Sequence, residues 1–539
     1  MTARLMISLC LLALATQGTA QAAPAALTQE EARHLLIRTG FAPRQAEIEA
    51  LAGQRAQAAV AAIVTAAQAS RPLYPAPVFV AQPPPIPGRF LTSNEERQAA
   101  RQQQQREGLE LKSWWLREMI ETPTPLRERM TLFWHNHFAT SQQKVGSSQA
   151  MWRQQALLRT GALGDFRTLL HGVAKDPAML IYLDGARSRK EAPNENFARE
   201  VMELFTLGES GTGSRYTEQD IREAARAFTG WTVERDDFSF RFRPNLHDDG
   251  SKTVLGRTGS FDGDAVLDVM LEQPAAARFI VTKLWKEFVS PMPVEADVNR
   301  IAAQFRQSNY DIGVAVQALL LTDTFWVEGN RGSLIKSPVD LVVGTVRQFD
   351  FSYNDTTPFA LKTAQLNQNL LAPPNVKGWP GQKDWINATT LLERKRFTEQ
   401  LFRSVEPQAA ARIASGGMAA PAKPAGMPGM DVSTMRSVQE MRAAFSDMGM
   451  AGDSGAGAPR QAGRQGVMRV ANGVAMVSFD PDQWLGAYGG HADREPPAAL
   501  KARLAQALLP VPPTQAIASG TVGVDYLRML TLDPAYQLK

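Results

Sequence analysis

Hydrophobic positions recur at three- and four-residue intervals over most of the chain, the spacing of amphipathic helices packed on a core. In TQEEARHLLIRTGF, Thr28 and Glu31 have the capping-box spacing and Gly40 is a helix stop; PRQAEIEALAG reads as the next helix. SNEERQAARQQQQREGLELKSWWLREMIE is predicted as one long helix ended by the prolines of TPTP. Its inward stripe is Leu109, Leu111, Trp114, Trp115 and Met119, while the glutamine run faces water. Shorter helices are predicted in MWRQQALLRTG, DFRTLLHGVAKDP, PAMLIYLDG, NENFAREVMELFT, TEQDIREAARAFTG and PAAARFIVTKLWKEFV. They return in ADVNRIAAQFRQS, IGVAVQALLLTD and SPVDLVVGTVRQF. The exception is 238–255, where FSFRFRP alternates with period two, HDDG is a turn and SKTVLG resumes extended structure, a pattern that predicts a hairpin. The fold class is therefore mainly all-α, a multi-helix body with one small β-hairpin.

Composition shifts mark the boundaries. RPLYPAPVFVAQPPPIPGR is proline-rich and predicts an extended linker. From about 406 to 475 the chain is rich in Gly, Ala, Pro and Met, cannot build a packed core and is expected to be a disordered insertion, with a transient helix in STMRSVQEMRAAFSDM. Order is expected to resume near VSFDPDQWL, so that a helical segment over 476–539 packs on a main body spanning 23–405. Residues 1–22 read differently: Arg4 precedes the apolar run LMISLCLLALA, and Ala20-Gln21-Ala22 is a small-residue cleavage site. The run is too short to span a bilayer as a mature helix, and no transmembrane helix is expected elsewhere. Cleavage after Ala22 would deliver the protein to the periplasm or the medium.

The only cysteine, Cys10, lies in that leader and follows Leu9, without the small residue that a lipoprotein site wants. The mature chain then has no thiol or disulfide chemistry, and His, Asp, Glu and Met remain as metal ligands. A net charge of +4 over 539 residues, with opposite charges interleaved as in RERM and REAARAF, gives no basis for a nucleic-acid surface. The chain has no P-loop, dinucleotide fingerprint, nucleophile elbow or HExxH pattern.

Among six histidines, His135 and His137 stand one residue apart in PTPLRERMTLFWHNHFAT. On a regular helix they point ~200° apart. They share an ion only if the helix ends or unwinds there, which the poor helix former ATSQQKVGSS allows; otherwise one packs under Trp134 and the other is exposed. Partners stand in NENFAREVMELFTLG. Phe197, Ala198, Val201, Met202, Leu204 and Phe205 form an apolar face; Glu195, Asn196, Arg199, Glu200 and Glu203 form the opposite one. Glu200 and Glu203 are i,i+3 neighbours whose carboxylates can converge. Turned inward, they would join His135 and His137 in a site for a divalent Fe, Mn, Zn or Cu ion; turned outward, they belong to Glu195–Arg199–Glu203 ion pairs. Without an ion, a Glu–His hydrogen bond would raise the His pKa.

Other residues carry two readings each. His171 suits a core position, and His247, beside Asp248 and Asp249, is either a turn residue or part of a cation loop. Lys377, Trp379 and Trp385 in KGWPGQKDWIN either present tryptophans to a ligand or pin the loop to a helix layer. The methionines at 418, 427, 430, 435, 441, 448 and 450 are soft donors suited to Cu(I), or compositional drift.

Four stretches in order, LFWHNHFAT, PNENFAREVMELFTLG, YTEQDIREAARAFTGWTV and PPNVKGWPGQKDWIN, resemble the exported bacterial family catalogued as domain of unknown function eighteen hundred. HLLIRTGFAP, DPAMLIYLDG and HDDGSKTVLG fit as well, and the segment 406–475 falls outside the likeness. The resemblance implies an exported, mainly helical protein without an established activity, and it brings no catalytic residues to carry over. Two function classes stay open: a metal-dependent, oxidoreductase-like enzyme centred on His135, His137, Glu200 and Glu203, and a non-catalytic binding or assembly protein engaging an exported partner.

Overall fold

Helices form where caps and apolar spacing place them. In the computed structural model, which describes residues 23–82, 93–209, 216–234, 236–403 and 477–539, the first helix is Gln29–Thr39. Thr28 and Glu31 form its capping box, and Gly40 closes it. The long helix is Asn94–Glu121, capped by Ser93 and Glu96, with Leu111, Trp115 and Met119 fully buried. The expected leader at 1–22 and the expected insertion at 406–475 lie outside the described residues. Within the proline-rich stretch Val78–Ala81 forms a 3-10 turn that buries Phe79. No helix among the described residues is long and apolar enough to cross a membrane.

The strands differ from expectation. FSFRFR does not pair with SKTVLG; two separate two-stranded antiparallel sheets form instead. Phe240–Phe242 pairs back with Trp231–Val233, and Lys252–Val254 pairs forward with Arg257–Gly259. The second hairpin turns through Leu255 and Gly256, both at positive φ (52° and 78°). That is the two-residue turn matching strand twist, and it makes the short local pairing cheaper than the longer one.

Apolar side chains gather into two clusters. One joins the first three helices to residues 126–326, around Trp134, Phe166, Phe205, Trp285 and Phe305. The other joins Trp115 and Met119 of the long helix to Pro338–Gln348, Ala388–Arg403 and the segment 477–539, around Phe349, Phe402, Phe479 and Tyr536. The helix Pro125–His137 lies between them, sending Leu126, Met130 and Trp134 to the first and Leu132 to the second. Its Arg129, 2% exposed, donates to Gly40 O (2.6 Å) and Glu287 (2.7 Å) and pairs with Asp340. Asp340 also accepts from Lys539 Nζ at 2.8 Å, which ties the segment 477–539 to the same buried charge cluster.

Candidate functional site

The two histidines close the helix Pro125–His137, whose cap is Phe138. Being ~200° apart, they enter different clusters. His135 is buried between the edges of Trp115 and Trp379, each 5.5 Å away by ring centroids. Its Nε2 accepts the Leu371 N–H at 3.1 Å, so the ring proton sits on Nδ1. Burial, reinforced by the nearby Lys112 ammonium, holds its pKa down to about 3. His137, buried against Phe138, Phe205 and Phe279, has the opposite tautomer. Nε2–H donates to Phe205 O at 3.1 Å, and Nδ1 accepts from Lys283 Nζ at 2.9 Å. Burial first, and the Lys283 charge second, keep it well below the usual histidine range.

Each neutral ring thus spends its one lone pair on a protein donor. The acidic partners sit elsewhere. Glu195–Glu200 is an α-helix capped by Asn194, and Val201–Leu207 continues it as a π-helix. Its apolar face is buried as expected, while Glu195 and Asn196 are exposed and Arg199, Glu200 and Glu203 are partly so. Arg199 gives its two terminal N–H groups to Glu218 at 2.8 and 2.7 Å rather than to Glu195 or Glu203. The polar face is therefore turned outward. Among the described residues no three His, Asp or Glu side chains gather into a set that could hold an ion, so His135, His137, Glu200 and Glu203 are not brought together. Nor does either histidine meet a glutamate that would raise its pKa; both are lowered.

The remaining candidates have structural partners. His247 Nδ1 donates to Thr229 O at 2.9 Å, and Asp248 receives two N–H groups of Arg226 at 2.7 and 3.0 Å, so that turn is held by an ion pair. His171 is half-buried between Asp264 (2.8 Å) and Asp268 (3.1 Å), on the surface of a helix pair rather than in the core. Trp379 and Trp385 are buried, 4% and 6% exposed, and pin their loop; Lys377 is exposed and pairs with Glu209 at 2.9 Å.

What the histidine segment does is hold that loop. Leu371, at φ 59°, has its N–H on His135 and its carbonyl on Gln142 N at 2.9 Å. Asn136 Oδ1 accepts the Trp379 N–H at 2.7 Å, with Gly378 at φ 81° packed directly on Asn136. A Cβ at Gly378 would fall 2.2 Å from that oxygen, so only glycine fits. These bonds fasten two walls around an open cleft of about 420 Å³. One wall is Ser141, Gln143 and Lys144 with Tyr182; the other is Asn369 and Ala372 to Pro374. Sequence reasoning passed over these residues, although SQQKVG stood out as a poor helix former and PPNVKGWPG as turn-rich, while Tyr182 closes a segment read only as a helix. Lys144 pairs with Asp184 at 2.8 Å at the rim. Tyr182 has its pKa raised by burial and then by Glu200, whose own carboxyl is raised by burial and by Glu203. Behind Asn369, the buried Lys112 donates to its Oδ1 at 2.7 Å.

Tyr182, Pro373 and Pro374 of the cleft lie in stretches that carry the family likeness, although no curated protein and no solved structure matches the chain. One family model, described as a protein of unknown function (DUF1800), matches residues 34–538. The match covers almost the whole chain, and the protein belongs to the DUF1800 family.

Proposed function

We propose that this is an exported binding protein, freed of residues 1–22 and acting in the periplasm or outside the cell, whose cleft takes an extended segment of an exported partner. The observation that carries the reading is the fastening of the two cleft walls at Leu371. A strained backbone position held from both sides keeps an open groove in one shape, and preorganisation favours binding. The lining suits a polypeptide. Tyr182 and Pro373–Pro374 offer ring surfaces, and the Lys144–Asp184 pair offers both charges at an exposed rim where rearranging it costs little. A volume of about 420 Å³ lies within the ~300–1,000 Å³ range of ligand sites. The rival reading, a divalent-metal oxidoreductase, requires imidazole lone pairs that are already engaged.

The test is fluorescence polarisation of labelled tetrapeptides, with and without proline, on the mature protein and on Tyr182→Ala and Lys144→Ala. Micromolar binding of one peptide class is expected, weakened at least tenfold by either substitution, with the Tm unchanged in Lys144→Ala. Absence of binding across the panel overturns the reading. Stoichiometric Fe, Mn, Zn or Cu in protein purified without chelators would restore the rival.

A further inference from the structure

A second cavity, of about 140 Å³, lies where Gln29–Thr39, Gln45–Leu51 and Ala498–Leu508 meet the turn at Tyr488. Arg33 lines it and is only 6% exposed. Its Nε donates to Ala507 O at 2.8 Å, but its Nη2 is buried without a hydrogen-bond partner, and no carboxylate lies within ion-pair distance among the described residues. Two other buried arginines are better supplied: Arg129 holds two carboxylates, and Arg38 donates to Phe288 O, Val289 O and Asn330 O. Arg33 has one carbonyl and no carboxylate, so the desolvation of its charge is only partly offset. Burial depresses the Arg33 pKa to about 10, against weaker opposing effects of Tyr488 and Glu30.

The rest of the lining supplies donors. Arg503, at the exposed rim, gives Nη2 to Tyr488 O at 3.0 Å, and Gln506 also lines the cavity. Two acidic residues also line the cavity, and both are engaged. Glu30 pairs with Arg331 at 2.9 Å, and Glu49 accepts from Gln45 at 2.8 Å. With Glu30 answered by Arg331, two guanidinium groups face one carboxylate. We propose that this cavity is a site for a compact oxyanion, either a free tetrahedral anion or the carboxylate of a larger ligand, held by Arg33 and Arg503. The chemistry is that of charge-assisted N–H donors on an oxyanion, for which guanidinium is the best-suited side chain. An anion there would supply the counter-charge that Arg33 lacks.

Isothermal titration and thermal melts of the mature protein with sodium phosphate, sulfate and acetate, against chloride at matched ionic strength, test this. One oxyanion is expected to bind at a single site and raise Tm where chloride does not. Preference for phosphate or sulfate assigns a free tetrahedral anion, and preference for acetate assigns a carboxylate ligand. Arg503→Gln, at an exposed position, should weaken that binding at least tenfold with the anion-free Tm unchanged, and Arg33→Lys should abolish it. If Arg33→Lys does not fold, Arg503→Gln decides alone. Two results would overturn the proposal: no response beyond that of chloride, or equal binding by wild type and Arg503→Gln. Lys144→Ala should leave anion binding intact, which keeps this result separate from that of the peptide cleft.

Discussion

His135 is neutral because its environment makes protonation costly: two indole edges, a nearby ammonium and a backbone N–H already on Nε2. Its folded pKa of about 3 lies below the ordinary 6.5. Between those values the unfolded chain binds a proton that the folded chain refuses, so the contribution of this residue is present above pH 6.5 and is lost as pH falls. The slope approaches ~1.4 kcal/mol per pH unit for one proton. Urea melts over that range should show a shallower acid dependence for His135→Gln than for wild type, by up to one proton, because glutamine can accept from Leu371 without titrating. Equal slopes would mean that the ring is charged in the native state. The separation of the two histidines around the helix was legible in their spacing. Which donors would fill their lone pairs was not, because Leu371, Phe205 and Lys283 are remote in sequence and nothing local selects them.

At the scale of elements, caps and apolar periodicity located many of the helices because both depend on neighbours within a turn or two, but they passed over Gly263–Glu272, Thr357–Gln365 and Ala388–Arg403. The same logic failed for the strands. Period two marks an extended run without naming its partner, and Phe240–Phe242 found Trp231–Val233 in place of Lys252–Val254. It also missed the π-helix at Val201–Leu207, where Thr206 Oγ1 donates to Val201 O at 2.7 Å and the Phe205 carbonyl receives His137. The loop 369–387 is the element on which the cleft depends. Gly378→Ala must place a side chain at φ 81° and 2.2 Å from Asn136 Oδ1. The left-handed penalty of ~1–2 kcal/mol and the overpacking cost of ~1–3 kcal/mol together predict a loss of about 2–5 kcal/mol. Equilibrium urea unfolding measures it. A variant as stable as wild type would show that this loop is not clamped on the histidine helix.

For the molecule as a whole, the buried cluster of Arg129, Glu287, Asp340 and Lys539 joins the two apolar cores at one point. Despite its burial, the charges of Arg129 and Lys539 hold the Asp340 carboxyl well below its ordinary 3.8. Its contribution is therefore present above that pH and is lost as pH falls toward the folded value. Asp340→Asn removes the charge while keeping the shape, leaving Arg129 and Lys539 under-compensated in the interior. Breaking a buried pair in this way costs about 3–5 kcal/mol. Thermal and urea melts at neutral pH should show that loss, and an unchanged Tm would mean that water reaches the cluster.

By itself the sequence determined the helical class, the capped starts of helices such as Gln29–Thr39 and Asn94–Glu121, the family and the apolar face of 195–207. All of these follow from interactions a few residues apart or from ordered motifs. Only the tertiary structure decided that this helix turns its acids to solvent, that HNH is a clamp with no free lone pair, and that Ser141, Lys144, Tyr182 and Pro373 frame a cleft. The reason is physical. A polar face or an imidazole has the same local cost inward or outward until distant donors, charges and packing surfaces are brought to it, and those come only with the fold.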